Sequence, residues 1–212
     1  MRTLSIDIET YSDVDIKLGV YRYTDTPNFE ILLFAYAFDE EPVRVIDLAC
    51  GEDLDESLIN ALSDAKVLKK AYNAQFERVC LGKHLGITLD PGQWKCTMAH
   101  AAYLGLPGKL GEVAKVLNLD EQKDTAGKML INYFSKPCKP TRSNQERTRN
   151  YPYHDIEKWE LFKKYNAQDV ETERAISHFL EKYEIPVVER GLYALDQRMA
   201  DYGVGIDLEL VN

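Results

Sequence analysis

The chain has little of what marks several common functional classes. Its four cysteines, Cys50, Cys80, Cys96 and Cys138, are widely separated and form no C-x-x-C pair. Neither a zinc site nor a thioredoxin-type redox pair is supported, and reduced, mostly buried thiols are expected. The four histidines, His84, His100, His154 and His178, also lack metal-ligand spacing, so each is read as structural or superficial. No apolar run approaches the roughly 20 residues of a membrane span. Met1-Arg2-Thr3 leads straight into a strand pattern without a signal-peptide core, so a cytoplasmic protein with no membrane partner is expected. Positive charge is scarce too: 26 Lys and Arg stand against 35 Asp and Glu, a net charge of −9. That argues against a broad basic surface for nucleic acid. It does not exclude a nuclease, because carboxylates that bind divalent ions raise the acid count while the ions face the phosphate.

What is present is an ordinary globular composition, 45% hydrophobic and 29% charged over 212 residues, without internal repeats or low-complexity segments. That length suggests one domain, or a domain with an appendage. The most informative stretch is the apolar opening run Leu4-Ser5-Ile6-Asp7-Ile8-Glu9-Thr10. On a strand, residues i and i+2 share a face roughly 7 Å apart. Leu4, Ile6 and Ile8 would therefore fill one face against a core, while Asp7 and Glu9 stand together on the other. Two like charges held there need a cation, since burying carboxylates costs several kcal/mol each unless they are paired or metal-bound. All-oxygen ligation favours Mg²⁺ or Mn²⁺.

Glu30 to Phe38 reads as a second strand and Pro42 to Asp47 as a third, joined through the Asp39-Glu40-Glu41 turn as a hairpin. Leu54, Leu58, Ile59 and Leu62 fall at helical spacing, and Lys66 to Tyr72 offers a fourth strand ending at Asn73. A helix carrying Phe76, Val79, Cys80 and Leu81 to about Gly86 follows, then a short fifth strand near Trp94 to Thr97. Nearly everything beyond is helical, so the expected fold is an α/β mixed sheet of five strands flanked by helices, with a largely helical C-terminal half. One stretch breaks this order. Ser135 to Pro152 holds Lys136, Lys139, Arg142, Arg147 and Arg149 against Glu146 alone, with three prolines. It reads as a mobile basic loop, either simply solvated or facing an anionic strand.

Two further segments carry acids. Tyr72-Asn73-Ala74-Gln75-Phe76-Glu77-Arg78 places Glu77 in the first turn of a helix that Asn73 is positioned to cap. Trp159 to Asp169 is an evident helix in which Tyr165 and Asp169 lie one turn apart on one face. Taken in order, Asp7-Ile8-Glu9, Asn73-Ala74-Gln75-Phe76-Glu77 and Tyr165-Asn166-Ala167-Gln168-Asp169 resemble the D-x-E, N-x-x-F/Y-D and Y-x-x-x-D motifs of the metal-dependent 3′–5′ exonucleases of the ribonuclease-H-like superfamily. The resemblance spans about Thr3 to Tyr183, with Leu110 to Leu119 and Lys123 to Ile131 similar to the helical region between the second and third motifs. Lys164 stands where the histidine branch of that family has its histidine, so Tyr165 marks the tyrosine branch. Glu77 departs from the usual Asp of the second motif.

The resemblance implies a ribonuclease-H-like fold and two-metal hydrolysis of a terminal phosphodiester, with Mg²⁺ or Mn²⁺ as cofactor. It implies that Asp7 bridges two ions, that Glu9 and Asp169 complete the first site, and that Glu77 supports the second. Tyr165 would orient the attacking water, since a tyrosine with an ordinary pKa near 10 is a poor base at neutral pH. Thr10, Asn73 and Phe76 become candidates for gripping the terminal nucleotide, although Phe76 is also readable as a plain packing residue. Leu192 to Asp207 resembles the join between exonuclease and polymerase regions in phage-type family A DNA polymerases. The expected organisation is an exonuclease domain over 1–185 and a helical connector over 186–212, excised from a parent that continues into a polymerase region. Its expected partner is a single-stranded or frayed 3′ end of DNA, in the host cytoplasm if phage-encoded. An RNA-trimming exonuclease and, given Glu77, a non-catalytic binding scaffold are the alternatives.

Overall fold

In the computed structural model of the chain, residues 2–119 and 126–211 are described. The elements run β1 (Arg2–Tyr11), α1 (Val20–Thr24), β2 (Glu30–Phe38), β3 (Arg44–Ile46), α2 (Glu56–Ser63), β4 (Val67–Ala71), α3 (Ala74–Leu85), β5 (Trp94–Cys96), α4 (Thr97–Tyr103), α5 (Leu110–Val116), α6 (Ala126–Phe134), α7 (Ile156–Leu180), α8 (Val187–Tyr202) and α9 (Leu208–Val211). The strands form one sheet in the order β3-β2-β1-β4-β5. β1 and β2, and β2 and β3, pair antiparallel, whereas β1, β4 and β5 run parallel. The expected mixed five-stranded sheet is therefore present, and β1 is its centre.

Side-chain alternation assigns the two faces. Leu4, Ile6 and Ile8 of β1 join Ile31, Phe34 and Tyr36 of β2 in a core closed by Leu58 and Leu62 of α2 and Cys80 and Leu81 of α3. The opposite face is covered by the 25-residue α7. Ala35, which pairs with Asp7 in the ladder, and Ala37 pack against Val170. Alanines at those positions let the helix approach the sheet closely, and Val170 follows Asp169 directly. The β1–β2 register shifts between Glu9 and Thr10, a bulge-type irregularity of the sort that re-aims side chains beside functional sites.

The start of α7 is tied down twice. Asp155 caps it by accepting from the Lys158 amide at 3.0 Å, and Trp159 Nε1 donates to Asp47 Oδ2 at 2.8 Å. Trp159 and Phe162 then pack with Phe134 and Leu130 of α6 and with Tyr11.

Several expectations need adjustment. The third strand is confined to Arg44–Ile46. α2 starts after Leu54 because Asp55 supplies the cap, its carboxylate accepting from the Leu58 amide at 2.8 Å. The stretch after Tyr11 contains a 3₁₀ turn (Ile16–Leu18) and α1, and Tyr11 itself belongs to β1. Asn73 takes the N-cap position of α3, but its side chain makes no capping bond. All four thiols are free, yet only Cys80 and Cys96 are buried, while Cys138 is half-buried and Cys50 exposed. The basic segment is a loop, as expected, but one with bonds of its own. The Cys138 amide donates to Thr148 O at 2.8 Å, a 3₁₀ turn spans Arg142–Asn144 under a Thr141 cap, and Asn144 Nδ2 donates to Lys139 O at 2.9 Å. Of the anticipated helical region 123–131, residues 123–125 lie outside the described residues and the remainder is in α6. No helix among the described residues is long and apolar enough to cross a membrane.

Candidate metal centre

Two segments remote in the chain deliver acids to one place. Asp7 and Glu9 share a face of β1 by alternation, and the close approach of α7 sets Asp169 against them. One carboxylate oxygen from each of Asp7, Glu9 and Asp169 lies within 4.8 Å of the others. Glu9 is buried, while Asp7 and Asp169 are half-buried.

Among the described residues, no cation figures in the groups that act on the two β1 acids. Burial first, then the charges of Asp169, Glu9 and Glu77, holds the Asp7 carboxyl well above the usual range, and the Asn166 side chain alone pulls it back. Burial followed by Asp169 and Glu77 does the same to Glu9. Like charges this close in a desolvated site resist joint ionisation. A divalent cation would reverse that penalty, and a set of carboxylate oxygens suits a hard ion. The residues present therefore fit the metal that the motifs imply.

Glu77 stands apart. It lies in the first turn of α3, where the helix N-terminus favours negative charge. Burial outweighs that benefit and pushes its carboxyl up to about 8. It is not in the set of three that converge within 4.8 Å, although its charge is felt by both Asp7 and Glu9. Its Oε2 is buried without a hydrogen-bond partner among the described residues, an acceptor left for a ligand that the protein itself does not supply.

Tyr165 is half-buried, one turn before Asp169 and bonded to it. Burial, then Asp169 and Glu9, drives its phenol far above the ordinary value, so it is a neutral donor at any working pH. Its ring stacks on Phe162 with centroids 6.4 Å apart. Gly127 of α6 makes the other wall: a Cβ there would fall 2.2 Å from the Tyr165 ring. The ring is thus held between Phe162 and the backbone of α6.

The candidate nucleotide-gripping residues divide. Thr10 Oγ1 is buried and shares a 2.8 Å hydrogen bond with Tyr23 Oη. Phe76 is half-buried and meets the same Tyr23 ring at 5.9 Å between centroids, so Thr10 and Phe76 are linked through one aromatic. Asn73 is exposed at the start of α3.

Two further residues of the region are absent from the candidates read from the sequence. Asn166, wholly buried, donates from Nδ2 to Asp7 Oδ2 at 2.6 Å. Glu173 is buried with its Oε1 accepting from Thr97 Oγ1. Glu173 was discoverable, since Tyr165, Asp169 and Glu173 follow one another at i, i+4 and i+8. Asn166 carried no signal beyond its place inside the third motif.

Comparison with solved structures gives a nuclease described as an apo form at a TM-score of 0.52 and 15% identity, over 94% of this chain and 83% of that one. The chain shares the fold of this nuclease. Brucella melitensis NrnC aligns over 93% of the chain and 80% of its own at a TM-score of 0.48 and 13% identity. In sequence, all 212 residues are 59% identical to a DNA polymerase of Bacillus phage SP02, and the chain spans 33% of that protein. No family model matches the chain.

Proposed function

We propose that the chain is the 3′–5′ exonuclease, or proofreading, domain of a phage-type DNA polymerase, hydrolysing the terminal phosphodiester of a single-stranded or frayed DNA 3′ end. The observation that carries this reading is the convergence of Asp7, Glu9 and Asp169 within 4.8 Å, in a chain 59% identical to part of a phage DNA polymerase. Water adds to the terminal phosphorus, the 3′ oxygen of the preceding nucleotide leaves, and the products are a nucleoside 5′-monophosphate and a shortened strand.

Asp7, Glu9 and Asp169 would hold one Mg²⁺ or Mn²⁺, and Glu77 together with Asp7 a second. When bound, such ions offset charge on the attacking and leaving oxygens and acidify water. The chain's own groups do the rest. Asn166 fixes the orientation of the Asp7 carboxylate. Tyr165, always protonated, presents a hydroxyl that positions the attacking water rather than accepting its proton. Thr10, Asn73 and Phe76 would border the terminal nucleotide, with Tyr23 joining the first and third.

Residues 1–185 form the exonuclease domain in this reading, and 186–212 the connector to a polymerase region of the same parent chain. The connector is bound to the domain by Arg78, which meets Asp201 of α8 in two bonds of 2.9 and 2.7 Å. It also exposes Val187, Val188, Leu192, Leu195, Met199 and Tyr202, an apolar surface suited to further protein. The place of action would be the cytoplasm of a bacterial host.

The test uses oligonucleotides labelled at either end: single-stranded DNA, mismatched primer-template and RNA, each with Mg²⁺ or Mn²⁺, beside Asp7→Ala. Stepwise loss from the 3′ end of DNA, abolished by Asp7→Ala, is expected. Preference for RNA would replace the DNA reading with RNA trimming, and intact substrate in every arm would leave a non-catalytic fold.

A further inference from the structure

The basic segment is built onto the strand that carries the acids. Tyr11 follows Glu9 by two residues on β1 and packs with Trp159, Phe162 and Tyr165 of α7, the helix that brings in Asp169. The Arg149 guanidinium lies 3.8 Å above the Tyr11 ring and 4.7 Å from the Tyr151 ring, and it pairs with Glu30 at 2.5 Å. Tyr151 in turn stacks on Tyr153, with rings 3° from parallel and centroids 5.6 Å apart. Tyr11, Arg149, Tyr151 and Tyr153 thus form one continuous tier leading outward from the acid cluster. Its inner members are held in place, whereas Tyr151 is 40% and Tyr153 70% exposed.

Tyr153 leans on Tyr151 and on the His154 ring, whose centroid is 4.3 Å away, and the rest of its surface is open to solvent. The same segment carries cations that no acid answers among the described residues. The Cys138–Thr148 backbone bond folds the segment on itself and brings Lys139 beside the limb that carries Arg149. Lys139 and Arg142 are exposed and enter no ion pair among the described residues, and Lys136 bonds Asn132. In a chain of net charge −9, a segment with five cations and one acid selects an anionic partner. An acidic protein would meet the charge but make no use of the open side of the Tyr153 ring. A single strand of nucleic acid meets both, since its phosphates need cations and its bases need flat faces.

We propose that this tier is the single-strand track of the enzyme: nucleotides upstream of the scissile bond stack on Tyr153 and Tyr151, with their phosphates against Lys139 and Arg142. The proposal rests on the exonuclease reading for its direction, but its test does not depend on hydrolysis. Fluorescein-labelled (dT)₁₂ is titrated with the 212-residue chain in EDTA buffer at several salt concentrations, and binding is read by anisotropy. Lys139→Ala/Arg142→Ala should lower the slope of log affinity against log salt by about 1.4, roughly 0.7 for each phosphate that is no longer neutralised. Tyr153→Ala should weaken binding roughly tenfold with the slope retained, the mark of stacking rather than charge. Far-UV circular dichroism checks that the variants fold.

In the hydrolysis assay, wild type should show a lower KM for (dT)₁₂ than for (dT)₃, and each variant should shrink that difference. Unchanged slope and affinity in the variants, or displacement of (dT)₁₂ by polyglutamate as readily as by unlabelled (dT)₁₂, overturns the track even if the chain degrades DNA. Absence of any degradation by wild type, with the binding results as expected, overturns the exonuclease reading and leaves the track standing.

Discussion

The molecule handles buried charge in two opposite ways on the two sides of α3. On one side Arg78 is buried and fully answered: its guanidinium is bonded to both oxygens of Asp201 and to Leu89 O at 3.2 Å. Tyr21 Oη adds a 2.6 Å bond to the same carboxylate. Burial alone would raise the Asp201 pKa, but the bonds from Arg78 and Tyr21 prevail and leave it below its ordinary value. On the other side, Glu9 and Glu77 are buried and Asp7 half-buried beside acids, and all three carboxyls are raised. Adjacent residues of one helix turn, Glu77 and Arg78, thus belong to opposite regimes. An answered buried charge holds the architecture together. An unanswered cluster costs stability and is intelligible only as a site for something that brings positive charge.

The largest effect that separates the regimes is on activity. Asp7→Ala should reduce metal-dependent release of 3′ nucleotides at least a thousandfold, consistent with loss of a ligand shared by the reacting centre. Calorimetry should show Mn²⁺ binding lost with it. Asp7→Asn, by removing one of the repelling charges, should at the same time leave the metal-free protein more stable than wild type at pH 8.

The second test is pH. The Glu77 carboxyl sits at about 8 in the folded chain against an ordinary 4.5. Between those values the unfolded chain releases a proton that the native chain keeps, so native stability is fully present below about pH 4.5 and falls as pH rises toward 8. Urea melts of metal-free protein should show a decline on the order of a few kcal/mol across that window. Glu77→Gln should make the decline shallower, with the raised Asp7 and Glu9 carboxyls supplying what remains, and saturating Mn²⁺ should offset it in the wild type. A decline of the same steepness in Glu77→Gln would mean that Glu77 is not desolvated.

The third reverses the sign. Asp201→Ala strands a buried guanidinium and should destabilise the chain by about 3 kcal/mol, the low end for a broken buried pair because Asp201 keeps part of its surface in water. The loss should persist at every pH from 5 to 8, unlike the Glu77 contribution. The smallest expected effect is that of Asn166→Ala, which removes the bond that steadies Asp7. Residues that orient metal ligands typically govern 10- to 100-fold in affinity, so Mn²⁺ affinity should drop about tenfold. The fold should be intact by circular dichroism.

Much of the architecture was legible residue by residue. Glu30–Phe38 is a strand from end to end because nearly every position is apolar or aromatic and both faces are covered. Gly86 and Gly203 close α3 and α8 at positive φ, 66° and 75°, where a residue without Cβ suffers no strain. The pairing of Asp7 with Glu9, and of Tyr165 with Asp169, follows from the two periodicities alone. Less legible were contacts made across the fold. Nothing local shows that the Thr10 hydroxyl is engaged by Tyr23, or that Asn166 rather than a lysine faces Asp7. The basic segment read as loose because its prolines and charges disfavour helix and strand. Its order comes from Arg149 lodging on Tyr11, 138 residues away in sequence and adjacent in space.

By itself, the order of residues determined the strands and helices, the sheet-facing side of each, and the three acidic motifs, because alternation and helical repeat act over a few residues. Tertiary structure alone decided which acids meet. Alanines at 35 and 37 let α7 settle close enough for Asp169 to join Asp7 and Glu9, while α3 holds Glu77 at a remove. Distances of a few ångströms between remote segments depend on how side-chain volumes fill the space between layers. Local periodicity carries no information about that.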